Sequence, residues 1–169
     1  MAIVYFFAQF IGAILGYRLL QALTPLNILE LSVNKGDYGF CTTGPNPDVT
    51  TIQAFFIEYF ATTVLIFICC AVWDPKNAKY QDSIPLKFGL AIVVLSHIFG
   101  SFTGCSMNPV RTFAPAYWNR SFPMHWVYWI APMLSGIFTA IGYQSFFSED
   151  PELDPETHEQ LHRNELPKV

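Results

Sequence analysis

Gly104-Cys105-Ser106-Met107-Asn108-Pro109-Val110-Arg111 lies between two long apolar segments and carries an Asn, a Pro and an Arg at what should be membrane depth. An Asn-Pro pair reads as a helix N-cap followed by the first helical position. The run Gly104-Cys105-Ser106-Met107 before it reads as extended. Together these residues describe a chain that dips into the bilayer and turns into a short helix, whose N-terminus and Arg face something wet. Non-helical backbone survives at that depth only where it is buried in protein or lines a water-filled cavity. The stretch therefore points to a pore. The competing reading is an ordinary surface loop with Asn-Pro as a plain turn, but Met107, Val110, Phe113 and Ala114 make the segment too apolar for free solution.

Working outward, four stretches approach the roughly 20 residues needed to cross a bilayer. They cover 2–23, 52–72, 86–102 and 126–147. Each is too long and too uniformly apolar for an alternating barrel strand. Trp73, Trp118, Trp126, Tyr128 and Trp129 gather at span ends, as in an aromatic belt. Segment 24–50, with Gly36, Gly39, Gly44, Pro45 and Pro47, reads as an ordered exposed loop. Lys76, Lys79 and Lys87 place the 74–85 connection in the cytoplasm by the positive-inside rule. Both termini follow to that side, although Lys35 and Arg120 fall on the other. Gly12 with Gly16, and Gly136 with Ala140, have the small-residue spacing that lets membrane helices approach closely.

Composition agrees. The 169-residue chain is 52% hydrophobic and only 13% charged, against about 25% charged in soluble domains. Seven of its thirteen acidic residues lie after Phe147, which marks 148–169 as an acidic tail. A net charge of −4 argues against nucleic acid as a partner, because phosphate binding needs a basic face. Cys41, Cys69, Cys70 and Cys105 have no metal spacing and imply no disulfide framework. No cofactor or metal is expected. His158-Glu159-Gln160-Leu161-His162 fits a zinc-protease pattern, but a solvated tail lacks the walled cleft a catalytic zinc requires. Asn119-Arg120-Ser121 is a glycosylation sequon close to the membrane.

The chemistry of the dipping segment follows from its residue types. The side-chain oxygen of Asn108 can accept a backbone N–H of the first helical turn. Its NH2 then offers two donors and no acceptor, so a water there must turn its oxygen toward it. The positive end of the half-helix adds to this field. Oriented donors plus a positive dipole interrupt a proton wire and repel cations, a mechanism known for aquaporin-type pores. Arg111 sits one turn further on. An Arg at the bilayer centre costs about 2.5–3.5 kcal/mol on insertion scales, so it is rarely there without a role. The carbonyls of Gly104, Cys105 and Ser106 become acceptors lining the passage, and Pro109 opens the half-helix. Pro115 should prevent that helix from extending far. Glu58, inside the second span, is the other expensive residue. Its carboxylate is expected to accept N–H groups of the irregular segment, unless the register leaves it nearer the interface. Gln9 is given the same bracing role.

From Thr103 to Ala116 the chain resembles the second Asn-Pro-Ala loop of the aquaporin, or major intrinsic protein, family. The resemblance extends from Tyr5 to Phe147 and implies the family fold: inverted repeats of three spans and one half-helix, with the half-helices meeting at the midplane. It implies a passive channel rather than an enzyme, permeated by water, in a plasma-membrane homotetramer. It gives Asn108 the role of pore asparagine and Arg111 that of the arginine of the outer constriction. Cys105 matches the loop position of that constriction, with Gly104, Cys105 and Ser106 as the carbonyl ladder. Water-selective members carry a histidine twelve residues before the asparagine. Here that position is Ser96, with His97 beside it, so the constriction should be wider. This pattern resembles insect members that pass glycerol and urea as well. A one-residue shift placing His97 in the pore is the alternative.

The expected architecture is thus an all-α membrane protein: an incomplete aquaporin-like helical bundle of four transmembrane helices plus a re-entrant half-helix in 103–118. Relative to the family, the first two spans and first half-helix are absent, and a truncated gene model, an isoform or a fragment would account for that. One half-helix without its partner should not conduct by itself. The rival to a channel realised in a full-length parent is a non-conducting membrane protein that associates with full-length subunits.

Overall fold

A computed structural model describes residues 1–34 and 38–147. The acidic tail, the His158–His162 motif, Lys35 and Gly36 lie outside the described residues. Among the described residues the fold is helical, with no strands. The elements are α1 (Ala2–Leu23), α2 (Leu26–Asn34), α3 (Thr51–Trp73), α4 (Ile84–Thr103), α5 (Pro109–Asn119) and α6 (Val127–Phe146). A 3-10 stretch, Pro75–Ser83, joins α3 to α4.

Among the described residues, three helices are long and apolar enough to cross a membrane: Ile3–Leu23, Thr51–Trp73 and Ile84–Thr103. The stretch expected as a fourth span forms α6, 20 residues long, which is not among these three. Its Ser135, Thr139, Tyr143 and Gln144 lower its hydropathy, so length rather than composition marks it. Segment 24–50, expected to be a loop throughout, instead contains α2. The local starts follow known chemistry. Thr50 and Gln53 form a capping box at the head of α3, satisfying N–H groups that an isolated helix leaves unpaired. Gly104 ends α4 at φ 81°, a conformation glycine adopts without steric cost.

The core lies where α3 packs against α6 and α4. Ala54, Ala61 and Ala131 are fully buried and let the helices approach. Across the α3–α6 contact the Thr63 and Ser135 hydroxyls pair at 3.0 Å. Tyr128, fully buried at the head of α6, donates to the Thr103 carbonyl at 2.8 Å. That bond ties the last turn of α4 to α6. On the other side α1 packs on α5. Phe10 stacks against Phe113 with ring centroids 4.9 Å apart, and against Trp129 at 5.9 Å, joining α1 and α5 to α6. A Cβ added to Gly12, Gly16 or Gly136 would meet no neighbouring atom within 4 Å. Among the described residues, no other element packs on the glycines of these pairs.

At the opposite end from α5, Asp74 terminates α3. Its Oδ1 accepts the Lys76 backbone N–H at 2.9 Å and its Oδ2 accepts the Tyr143 hydroxyl at 2.9 Å. The Lys76 N–H first, and then the Tyr143 hydroxyl, hold the Asp74 carboxyl below its usual range. A lowered native value means the unfolded chain binds the proton more readily, so stability is lost as pH falls. The unfolding temperature in detergent is expected to drop below about pH 4. In the Asp74→Asn variant that part of the acid dependence should be absent.

Candidate functional site: the turn into the half-helix

Three residues bring the chain back after α4. Gly104 (φ 81°), Cys105 (φ 45°) and Met107 (φ 52°) all adopt left-handed backbone. The run expected to be extended is therefore a tight left-handed turn. The reason is distance: α5 begins only six residues after α4 ends, so the chain must reverse rather than stretch. Non-glycine residues in this region cost about 1–3 kcal/mol each and persist only where surroundings fix them.

Glu58 supplies that fixation from α3. It is fully buried. Its Oε1 accepts the Thr103 hydroxyl at 2.6 Å and the Ser106 N–H at 3.0 Å. Its Oε2 accepts the Met107 N–H at 2.9 Å. Both N–H groups lie beyond the reach of helical pairing, and buried donors without partners are costly. Gln9 does not share this work. It is turned to the exposed face of α1, where it lines a cavity.

Asn108 caps α5. Its Oδ1 accepts the Val110 N–H at 2.9 Å and, more weakly, the Arg111 N–H at 3.4 Å. With the oxygen turned to the helix, the NH2 is the group Asn108 presents to the cavity. Pro109 follows at the first helical position, where its missing N–H leaves nothing unpaired. Pro115 does not stop the helix: α5 continues to Asn119, with Pro115 buried inside it. Arg111 is exposed, and its Nη1 makes a long contact, 3.5 Å, to the Cys41 carbonyl.

Asn108 and Arg111 line a common cavity of about 700 Å³ between α1 and α5, with Gln9, Tyr17 and Cys41. The remaining sequence-derived residues lie elsewhere. Cys105 is buried in a cluster with Ala61 and Leu95, flanked by Leu65 and Phe99. Its side chain is committed to packing, because the left-handed turn directs it toward α3 and α4. Ser96 is exposed on α4 and within hydrogen-bond reach of the Cys105 thiol. His97 is exposed beside it. Ser106 is buried, and its hydroxyl donates to the Asn108 carbonyl at 2.8 Å. Gly104 is half-buried against Thr43, whose Cγ2 would lie 3.1 Å from an added Cβ.

The segment 39–46 contributes residues that sequence reading passed over. Thr43, almost fully buried, pairs its hydroxyl with that of Thr112 at 2.7 Å, and Thr112 pairs in turn with Ser106. The Asn46 N–H donates to the Phe102 carbonyl at 2.8 Å. This segment therefore rests on both α4 and α5. The density of Gly and Pro in it was the available signal for an irregular packed loop.

A profile of the major intrinsic protein family matches residues 1–143. The chain is 36% identical over 143 residues to the lens fiber major intrinsic protein of Lithobates pipiens, covering 84% of this chain and 51% of that protein. It is 32% identical over 153 residues to aquaporin-4 of Notomys alexis, covering 90% and 44%. It is 33% identical over 144 residues to aquaporin FA-CHIP of Pelophylax lessonae, covering 84% and 49%. The chain belongs to the major intrinsic protein family. That family consists of channels, not enzymes. The chain spans about half the length of the relatives it matches.

Glu58→Ala is expected to lower stability by on the order of 3 kcal/mol, since two backbone donors and one hydroxyl lose a buried acceptor. Thermal unfolding in detergent measures this, and Glu58→Gln should recover only part of the loss. The Asn119 amide is turned inward among Tyr17, Phe40 and Thr42. Glycosidase treatment of the folded chain is accordingly expected to leave its mass unchanged.

Proposed function

We propose that this chain supplies one half of a passive transmembrane pore for water and small neutral solutes, glycerol and urea included, in a longer parent protein. The supporting observation is the cavity that holds Asn108 and Arg111 together. Asn108 offers donors there, the N-terminus of α5 adds positive potential, and Arg111 adds a full charge. A neutral molecule with an accepting oxygen is favoured at this point, and a cation is repelled. Glu58 and Pro109 hold the turn in this reading, and the carbonyls of Gly104 and Ser106 continue the passage inward. A passage wide enough for solutes larger than water follows in this reading from the sequence alone, where Ser96 stands at the position that water-selective members fill with a histidine.

The other wall of the pore comes from the family's first repeat, which docks on the open face of α1 and α5. The parent is a multi-pass plasma-membrane homotetramer whose termini and acidic tail 148–169 are cytoplasmic. The lipid bilayer surrounds the exposed apolar faces of α1, α3 and α4.

Stopped-flow light scattering on vesicles tests this. The chain alone is expected to give only the lipid background for water, glycerol and urea. The chain within its longer parent should raise all three rates, and Asn108→Asp there should reduce water flux at least about tenfold, the effect of about 1.4 kcal/mol on the barrier. Flux of water alone would remove the wide-constriction reading. Absence of any flux from the parent would favour a non-conducting subunit that associates with other channel chains.

A further inference from the structure

Asn119, the last residue of α5, holds three pieces of the outer mouth together. Its Nδ2 lies 2.7 Å from the Thr42 hydroxyl, 2.9 Å from the Phe40 carbonyl and 2.9 Å from the Tyr17 hydroxyl. Its Oδ1 accepts from Gln21 Nε2 at 3.3 Å. An amide nitrogen has two hydrogens, so three acceptors share them. The Tyr17 hydroxyl is free to accept because it gives its own proton to the Phe40 carbonyl, at 2.6 Å. Gly39 packs directly on this side chain: a Cβ there would stand 2.8 Å from Asn119 Nδ2.

Between the two gripped residues lies Cys41, left-handed at φ 56°. A non-glycine residue holds that conformation only if its neighbours are fixed. The Phe40 carbonyl and Thr42 hydroxyl are the groups that Asn119 fixes. The Cys41 carbonyl between them is the one that receives Arg111, at 3.5 Å. We propose that Asn119 is a positioning residue: by clamping Phe40 and Thr42 it sets the Cys41 carbonyl, and through it the place of the Arg111 guanidinium in the cavity. This rests on the reading that Arg111 faces permeant molecules. Asn119 touches none of them. It determines how much of the passage the guanidinium occupies, and so the size of neutral solute admitted.

Cys41 is exposed and lines the same cavity as Arg111, which makes its thiol a probe of that charge. The full chain in lipid vesicles is treated at low salt with an anionic sulfonate methanethiosulfonate or its cationic trimethylammonium counterpart. Modification of Cys41 is quantified by peptide mass spectrometry. The anionic-to-cationic rate ratio in the native chain is expected to exceed that of Arg111→Gln by roughly threefold or more, as a unit charge a few ångströms away implies. Arg111→Gln sets the ratio without that charge. Asn119→Leu, of similar volume but lacking donors, should bring the ratio to the Arg111→Gln value. Thr42→Val, which leaves α5 intact, should lower it part of the way. General loosening would raise both rates together and leave their ratio unchanged. Native ratios in both variants would overturn the clamp while leaving Arg111 in the cavity. A native ratio no higher than that of Arg111→Gln would overturn the placement of Arg111 and the clamp with it. Should Asn119→Leu fail to fold, Thr42→Val decides between these outcomes.

Discussion

One buried carboxyl group holds the site. A helix that ends inside an apolar bundle exposes groups it cannot pair, and the chain after α4 must reverse within six residues. Three residues there take left-handed backbone, and the Ser106 and Met107 N–H groups have no helical acceptor. Glu58 reaches across from α3 and receives the Ser106 and Met107 N–H groups and the Thr103 hydroxyl on its two oxygens. A buried carboxyl is itself unfavourable unless its oxygens are satisfied. The turn and the carboxyl therefore stabilise one another, and neither is tolerable alone. The position of Asn108, and with it the direction of α5, follows from where that reversal ends.

A second set of bonds fixes the far side of the turn. The hydroxyls of Thr43, Thr112 and Ser106 form a buried series running from segment 39–46 into α5 and back to the turn. Thr112 occupies a single helical position, yet it joins the two irregular segments. The Ser106 hydroxyl continues the series to the Asn108 carbonyl. Glu58 thus holds the turn through its backbone donors, and the hydroxyl series holds it through side chains. Such a network is favourable only when every member is paired, which is why the hydroxyls are all nearly inaccessible to solvent.

The features legible in the sequence were those whose physics is local. Asn-Pro after an apolar run can be read as a cap, because the capping bond spans only two or three residues. Glu58 could be singled out because a carboxylate inside an apolar span needs a reason, wherever its partner lies. What escaped was decided by tertiary geometry. Cys105 reads as pore-lining from its place in the motif, but a left-handed backbone turns its side chain into the α3–α4 packing. Gln9 and Glu58 look alike as polar residues in spans, and only the facing of each helix separates them: α3 lies inside the bundle and α1 at its edge. Within segment 24–50, Leu26, Leu29 and Val33 recur at helical spacing, but the glycines and prolines that follow them dominated the reading as a loop and hid α2. Asn119, read as a sequon, became a packed amide because residues some eighty positions earlier fold back onto it.

The burial pattern is uneven in a way that carries meaning. Helices α3, α4 and α6 share a core, whereas α1 meets the rest chiefly through α5 and a few aromatic rings. On the open side, Asn108 and Arg111 stand exposed among Gly12, Ala13 and Gly16. A surface of small residues permits the close approach of another helix, and nothing among the described residues makes that approach. In hydrocarbon, an exposed guanidinium and amide would be strongly unfavourable, so that face is suited to water or protein rather than to lipid. The exposed Leu, Ile and Phe side chains of α3 and α4 carry no such polar groups and suit lipid directly. The two sides of the molecule are thus built for different surroundings, and the polar side is the one that the turn at Glu58 creates.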